Sequence, residues 1–199
     1  MKSKIIKVKN LVKKYGNLEA VSGISFDVKK GEIFGLLGEN GAGKTTTLEI
    51  LEGLRKPTSG EIEVLGHNIK KDKNSIKEKI GVQLQSSSYY SFLTLREILD
   101  LFGSFYKKRL SPSDLLEMVD LSEKANSFVG KLSGGQRQRF SIVASLVNDP
   151  ELIFLDEPTT GLDPLARRNL WQLISKIKSQ GKTVILTTHY MEEAEALCD

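Results

Sequence analysis

The sequence predicts an α/β fold with a mostly parallel core sheet covered by helices. Two short, fully apolar runs, LIFL at residues 152–155 and TVIL at residues 183–186, have the length and composition of buried strands. The segment between them has the spacing of an amphipathic helix, with apolar residues at i, i+3, i+4 and i+7. These residues are Leu170, Leu173, Ile174 and Ile177. A strand–helix–strand order of this kind favours parallel strands joined by right-handed crossovers.

The first half of the chain predicts further strands and one more helix. The runs EIFGLL at residues 32–37 and IGVQLQ at residues 80–85 predict strands, and GKTTTLEILEGL at residues 43–54 predicts a helix. The leucines of that helix fall on one face: Leu48, Leu51 and Leu54. EIEVLG at residues 61–66 alternates polar and apolar residues, as an exposed antiparallel strand does. We therefore expect an N-terminal antiparallel β subdomain beside the parallel core.

Residues 86–127 interrupt this pattern because they contain no strand-like run. TLREILDLFGSFY and SPSDLLEMVDL are helical patterns, and the Ser-Pro-Ser-Asp start of the second is typical of a helix N-terminus. We expect a single domain over residues 1–199. Within it, residues 1–85 and 145–199 form an α/β body, and residues 86–144 form an inserted helical lobe.

Composition and charge narrow the class of protein. The chain has 199 residues, of which 39% are hydrophobic and 27% charged, as in an ordinary globular protein. Its net charge of +4 comes from scattered lysines, which favours a solvated face, so we expect no nucleic-acid partner. Cys198 is the single cysteine, which excludes a disulfide within the chain. With no secretory signal and no run of 18 apolar residues, we expect a cytoplasmic protein that does not cross a membrane.

A glycine-rich loop between a predicted strand and a predicted helix indicates a phosphate site. GENGAGKT fits the pattern G-x-x-x-x-G-K-[ST], which is the P-loop of nucleotide hydrolases. Glycines let backbone N–H groups surround phosphate oxygens, and the helix N-terminus adds positive potential. The lysine supplies a charge for the β- and γ-phosphates, and the threonine hydroxyl is a ligand for Mg²⁺. The candidate binding residues are Gly38, Glu39, Asn40, Gly41, Ala42, Gly43, Lys44, Thr45 and Thr46.

Acidic and imidazole side chains end two of the predicted parallel strands. Asp156 and Glu157 follow the run LIFL, and His189 follows the run TVILTT. The carboxyl ends of parallel strands border the ligand crevice, so Asp156 can hold Mg²⁺ while Glu157 orients a water. Two acids that merely cap a strand, and a structural histidine, are the alternative interpretations. The P-loop in the same chain favours the functional one.

A second cradle for an anion lies about ninety positions beyond the first. In KLSGGQRQRF, Ser133 is a good helix N-cap, and Gly134 and Gly135 let backbone N–H groups face an anion. An ordinary serine-capped helix is the alternative. This second cradle falls in the predicted lobe, whereas the P-loop falls in the body.

Taken together and in order, these motifs resemble the ATP-binding subunit of ABC transporters over nearly the whole chain. GENGAGKT resembles the Walker A motif, LIFLDE the Walker B motif with its glutamate, and LSGGQ the family signature. TTGLDP resembles the D-loop, THY the switch histidine and GVQLQ the Q-loop. The residues that these motifs add are Gln136 of the signature, Asp163 of the D-loop, Gln85 of the Q-loop and Tyr15, which matches an adenine-stacking aromatic. For Tyr15, packing within its strand is the alternative.

The resemblance implies ATP and Mg²⁺ as cofactors and ATP hydrolysis as the activity. The implied catalytic residues are Lys44, Gln85, Glu157 and His189, and the implied metal ligands are Thr45, Gln85 and Asp156. The resemblance also implies two ATPase subunits, alike or different, that pair head to tail so that Ser133 of one covers the ATP held by Lys44 of the other. A transmembrane permease would be the further partner, and the ATPase subunit itself would lie peripherally at the cytoplasmic face of the cell membrane.

Three longer segments, PTSGEIEVLG, GLDPLARRNLWQLI and TTHYMEEAEALCD, resemble the ATPases of drug, lipid or other efflux systems of the ABC-2 type. We therefore expect export. The aromatic residues Tyr89, Tyr90 and Phe92 are candidates for contact with a membrane partner's helix, with packing inside the lobe as the alternative. Relatives of this family continue past EALCD, so we expect a domain truncated at its C-terminal end. A soluble ABC-type ATPase that acts on ribosomes or DNA, and a regulator that binds nucleotide without hydrolysis, are the competing hypotheses.

Overall fold

The computed structural model describes residues 3–85 and 88–199 and contains two four-stranded sheets with helices around them. The strands are β1 (Lys4–Tyr15), β2 (Leu18–Lys29), β3 (Ile33–Leu37), β4 (Ser59–Val64), β5 (His67–Asn68), β6 (Ile80–Gln83), β7 (Leu152–Asp156) and β8 (Thr183–Thr188). The helices are α1 (Lys44–Leu51), α2 (Lys73–Lys77), α3 (Leu95–Gly103), α4 (Pro112–Glu117), α5 (Gly134–Ala144), α6 (Pro164–Ser179) and α7 (Met191–Leu197). Short 3₁₀ turns lie at Ser122–Lys124 and Val129–Lys131.

The core sheet is parallel, with the strand order β3-β8-β7-β6. Strands β7 and β8 are buried along their whole length, because helices or the second sheet cover both faces. Ile153 and Leu155 face α6 and the helical region, whereas Leu152 and Phe154 face α1 and the antiparallel sheet. The carboxyl ends of β3, β7 and β8 therefore meet at one edge of the sheet.

The second sheet is antiparallel, with the order β2-β1-β4-β5, which confirms the predicted antiparallel β subdomain. Strand β4 alternates as its sequence predicts, with Ile62 and Val64 buried and Glu61 and Glu63 exposed. Strand β1 ends at Tyr15 beside the P-loop, which brings this residue to the phosphate end of the body.

Three helices and the two 3₁₀ turns make up most of residues 88–144, where the pairing of Thr94 with Phe128 is an isolated bridge. Thr94 and Ser111 cap α3 and α4, and each side chain accepts a hydrogen bond from the backbone N–H three residues later. Ser86 and Ser87, at the predicted start of the lobe, lie outside the described residues. The division into body and lobe stays a prediction.

Several predicted boundaries were wrong, among them the ends of α1 and β6. The helix predicted over residues 43–54 ends at Leu51, and Leu54 is exposed rather than packed on the same face as Leu48. A left-handed Gly53 (φ 75°) follows the helix, and glycine at this position ends helices readily. The strand predicted over residues 80–85 ends at Gln83, so Gln85 lies on the loop that follows it.

Close backbone packing joins the core sheet to the end of α5. A Cβ atom placed on Gly81 of β6 would lie 2.0 Å from the carbonyl oxygen of Ser145. Only glycine allows this approach.

Among the described residues, no helix is both long and apolar enough to span a bilayer.

Candidate active site

The P-loop joins β3 to α1 as the sequence predicts. Gly43 stands at the helix N-terminus in a left-handed conformation (φ 84°), and a Cβ atom there would lie 2.2 Å from the carbonyl oxygen of Ala20. Lys44 begins the helix and turns back over the loop. Its Nζ atom donates hydrogen bonds to the carbonyl oxygens of Gly38 (2.9 Å) and Glu39 (3.0 Å). The ammonium group is thus held inside the loop by its carbonyl oxygens.

Asp156 ends β7 directly beside Thr45. The Thr45 hydroxyl lies 3.0 and 3.2 Å from the two carboxylate oxygens of Asp156. Thr187 of the neighbouring strand β8 donates its hydroxyl hydrogen to Oδ1 of the same carboxylate. Both carboxylate oxygens are therefore oriented by neutral hydroxyl donors, and Asp156 makes no ion pair among the described residues.

Glu157 adopts a left-handed backbone conformation (φ 47°), which is rare for a residue with a side chain. Its N–H donates to the hydroxyl of Thr187 at 2.9 Å, which fixes this turn. Oε1 lies 3.3 Å from Lys44 Nζ, and both side chains are only 7% exposed. Oε2 accepts a hydrogen bond from the Thr160 hydroxyl at 3.1 Å. Strained backbone that is held by its surroundings is common at functional sites.

His189 follows β8 and approaches Glu157 from the other side. Its Nδ1 atom lies 3.4 Å from Glu157 Oε2, without the alignment of a hydrogen bond. The ring of Tyr190 packs against the imidazole with centroids 4.0 Å apart, and the guanidinium of Arg167 lies 4.5 Å from the centre of the Tyr190 ring. Lys44, Glu157 and His189 therefore meet at the sheet edge, as the sequence predicts.

Gln85 and Tyr15 line the same depression as the P-loop, a cavity of about 400 Å³. Tyr15 is partly exposed, and the cationic groups of Lys13 and Arg55 lie 4.7 and 5.5 Å from its ring centre. The other residues of the depression that were predicted from the sequence are Asn40, Gly41, Gly43, Lys44, Thr45, Thr46 and Glu157.

Ser133 and its glycines line a separate depression of about 350 Å³, which shares no residue with the first. Ser133 caps α5 through a reciprocal pair of bonds with Gln136: Ser133 Oγ accepts from the Gln136 N–H, and the Ser133 N–H donates to Gln136 Oε1. Asp163, which caps α6, lines the same depression. One chain thus brings the predicted signature and D-loop residues together, but it does not bring them to its own P-loop.

The three predicted contact aromatics divide between the core and the surface. Tyr89 packs edge-on against Phe140, with ring centroids 5.3 Å apart, as the alternative of core packing requires. Tyr90 and Phe92 contact each other and are exposed, Phe92 by 72%. These two are the exposed members of the three.

Sequence reasoning missed two threonines of the site. Thr187 connects Asp156 to the backbone of Glu157, and Thr160 holds the Glu157 carboxylate. The available signal was the pair of threonines before His189: hydroxyl side chains are unusual at the end of a strand that is otherwise buried and aliphatic.

Comparison with known proteins agrees with this geometry. The family model described as ABC transporter matches residues 21–160, which include the P-loop, the signature and Asp156. The chain belongs to the ABC transporter family. The chain is 44% identical to one curated relative, the Nod factor export ATP-binding protein I of Burkholderia orbicola, over 98% of the chain and 66% of the relative. The protein of the same name from Rhizobium meliloti is also 44% identical, over 98% of the chain and 59% of the relative. The chain spans about two thirds or less of these relatives.

Solved structures of ABC proteins have the same fold. An ATP-binding subunit of an ABC transporter superposes with a TM-score of 0.85 at 32% identity, over 98% of this chain and 83% of that one. A dimeric ATP-binding cassette, described as a post-hydrolysis state bound to ADP and Pi, superposes with a TM-score of 0.84 at 31% identity, over 96% and 91%. These matches confirm the predicted α/β P-loop fold.

Proposed function

We propose that this protein is the ATP-hydrolysing subunit of an export system and that it works as a pair of subunits on a separate membrane-spanning partner. The observation that carries the proposal is the division of the phosphate-binding groups. Lys44 and Glu157 line one depression and His189 lies beside Glu157, whereas the Ser133 cradle lies at another depression. A complete site then requires two molecules. The names of the curated relatives support export.

In the first half-site, the residues of the P-loop bind the phosphates of ATP through backbone N–H groups and Lys44. Tyr15 stacks on the adenine ring. The oxygen atoms of Thr45, Asp156 and Gln85 fit a hard cation, which prefers oxygen ligands and takes the rest from water and phosphate. Mg²⁺ there would neutralise charge on the phosphate groups.

Glu157 orients and polarises the attacking water. Its carboxylate is already aimed at the phosphate end of the P-loop by Lys44 and Thr160. Phosphates of ATP compete for Lys44, so that Glu157 Oε1 becomes free to accept a hydrogen bond from water. His189, 3.4 Å from the other carboxylate oxygen, contacts the γ-phosphate and senses its loss.

The second half-site covers the ATP of the paired subunit. Ser133, Gly134 and Gly135 present a hydroxyl and backbone N–H groups at the start of α5, and Gln136 and Asp163 border them. Closure on ATP and opening after hydrolysis move the helical lobe. The exposed Tyr90 and Phe92 lie where the membrane partner would be contacted. The protein would then act at the cytoplasmic face of the membrane as a peripheral subunit.

The test is the variant Glu157→Gln, with Glu192→Gln at an exposed position as the matched control. We expect ATP turnover to fall by about 100-fold or more, since water activation is lost, while ATP binding survives. Size-exclusion chromatography with ATP should then show a stable dimer of the Glu157→Gln variant. A monomer under these conditions, or unchanged turnover, would contradict the proposal.

A further inference from the structure

Tyr15, the proposed adenine-stacking residue, stands at the tip of a hairpin. It ends β1 and pairs with Leu18, the first residue of β2, across a two-residue turn. The pairing of β1 with β4 stops before Tyr15, at the pair Val12 and Ser59. A two-stranded hairpin is only marginally stable by itself, so the Tyr15 ring needs other contacts to keep a fixed position.

The loop between α1 and β4 supplies such contacts. The Lys14 N–H donates to the Thr58 hydroxyl at 2.9 Å, which holds the end of β1 against this loop. In the same loop, the guanidinium carbon of Arg55 lies 5.5 Å from the centre of the Tyr15 ring. A guanidinium within about 6 Å of an aromatic ring centre is attracted by the ring electrons. Arg55 thus contacts the ring itself.

Arg55 is in turn fixed to α1, the helix that begins at the P-loop. Its Nε atom donates to Oε2 of Glu49 at 2.6 Å, and its backbone N–H donates to the Glu49 carbonyl oxygen at 3.0 Å. Side-chain and backbone bonds to one residue of α1 therefore hold the guanidinium. Because α1 begins at Lys44, the contacts from Glu49 through Arg55 to Tyr15 connect the phosphate-binding helix to the adenine-stacking ring.

The cations near the ring do not block the ATP depression. Lys13 Nζ lies 4.7 Å from the ring centre and donates to the Lys56 carbonyl oxygen at 3.0 Å. Tyr15 lines the ATP depression, whereas neither Lys13 nor Arg55 does. The cations therefore contact the ring outside the depression and leave the part of the ring inside it open to adenine.

We propose that Arg55 is a positioning residue for ATP: anchored by Glu49, it holds the Tyr15 ring at a fixed distance from the P-loop. Adenine then stacks on the ring while the phosphates occupy the loop. This inference rests on the proposed function and adds a residue that lies outside the sequence motifs. Ordering a binding group at the moment of binding costs affinity, and a ring that is already in place avoids that cost. Loss of Arg55 should therefore weaken binding of the base and leave binding of the phosphates unchanged.

Isothermal titration calorimetry with two probes tests the proposal. One probe is a non-hydrolysable ATP analogue, and the other is inorganic tripolyphosphate, which has the phosphate chain but no base. We expect Arg55→Ala to weaken binding of the analogue by about fivefold and to keep the affinity for tripolyphosphate within about twofold. Arg55→Lys, which keeps a cation, should have an affinity between those of Arg55→Ala and the unaltered protein. The control Arg96→Ala, at an exposed position of the helical region, should change neither affinity.

The route through the ring is tested in a Tyr15→Ala background. If Arg55 acts through the Tyr15 ring, Arg55→Ala should cause no further loss of affinity for the analogue there. ATP turnover is measured on the same proteins. Arg55→Ala should raise KM by about fivefold and leave kcat within about twofold, because the residue affects binding of the base and not the attack on the phosphate.

Four results would overturn the proposal. They are unchanged affinity of Arg55→Ala for the analogue, an equal loss of affinity for tripolyphosphate, a loss that persists in the Tyr15→Ala background, and equal losses in Arg55→Lys and Arg55→Ala. Failure of the proposed function gives a different result: the unaltered protein would bind the analogue without hydrolysing ATP, and the binding comparison would still test Arg55. Normal turnover with unchanged affinity of Arg55→Ala refutes only the role of Arg55.

Discussion

Glu52 gives the protein a pH-dependent stability that can be calculated. Burial raises the pKa of its carboxyl from 4.5 to about 8, and the charges of Asp156 and Glu49 add to the effect. In the unfolded chain the carboxyl ionises near its ordinary pKa, so the folded state binds more protons between these values. The contribution of Glu52 to the free energy of unfolding is therefore fully present below pH 4.5, and this contribution is lost as the pH rises towards 8.

The size of the effect follows from the same shift. One pH unit inside this window is worth about 1.4 kcal/mol, so the free energy of unfolding should fall by about 2.5 kcal/mol between about pH 5.5 and 7.5 because of Glu52 alone. Glu52→Gln keeps the shape of the side chain and removes the proton equilibrium. Its stability relative to the unaltered protein should therefore improve by the same amount over this interval.

Urea unfolding at the two pH values, without nucleotide or Mg²⁺, measures this difference. Linear extrapolation gives the free energy of unfolding for each protein. Glu123→Gln, at an exposed position of the helical region, is the control and should follow the pH dependence of the unaltered protein. If Glu52→Gln and the unaltered protein lost stability in parallel, the carboxyl would not be buried as described.

Three further predictions concern packing, positioning and binding. Gly81→Ala should destabilise the protein by about 2 kcal/mol or more in urea unfolding, because its Cβ would lie 2.0 Å from the Ser145 carbonyl oxygen. Thr187→Val should lower kcat by at least about tenfold, because it removes the hydroxyl that holds the Asp156 carboxylate. The affinity for ATP should stay within about twofold, since the P-loop is unchanged. An equal loss of kcat in Thr187→Ser would contradict a role for the hydroxyl. Tyr15→Ala should weaken binding of a fluorescent ATP analogue by about tenfold while Tyr15→Phe does not, and equal loss in both would exclude stacking.

Much of the fold could be predicted because its signals are local. The apolar runs of β7 and β8 are buried in full, and the helical spacing of Leu170 and Ile174 places both in the core. The ends of elements were less predictable. Leu54 continues the apolar spacing of α1, but Gly53 ends the helix first and leaves that leucine exposed at the surface.

In the candidate site, too, the residues with a local sequence signal could be predicted and the others could not. A P-loop is a contiguous motif, so Lys44 and Thr45 could be placed from sequence, and the carboxyl ends of parallel strands placed Asp156 and His189. Glu52 could not be found in this way. It follows α1 as an ordinary surface glutamate would, and its burial arises from tertiary packing that the local sequence does not show.

The most direct test of the central claim is to mix two inactive variants. Lys44→Ala removes phosphate binding, and Ser133→Arg blocks the second cradle but leaves ATP binding to Lys44 intact. If subunits pair head to tail, half of the mixed population are heterodimers with one intact site, so mixing should restore about a quarter of the original turnover. If Ser133 instead serves the ATP site of its own chain, no heterodimer contains an intact site and the mixture will stay inactive.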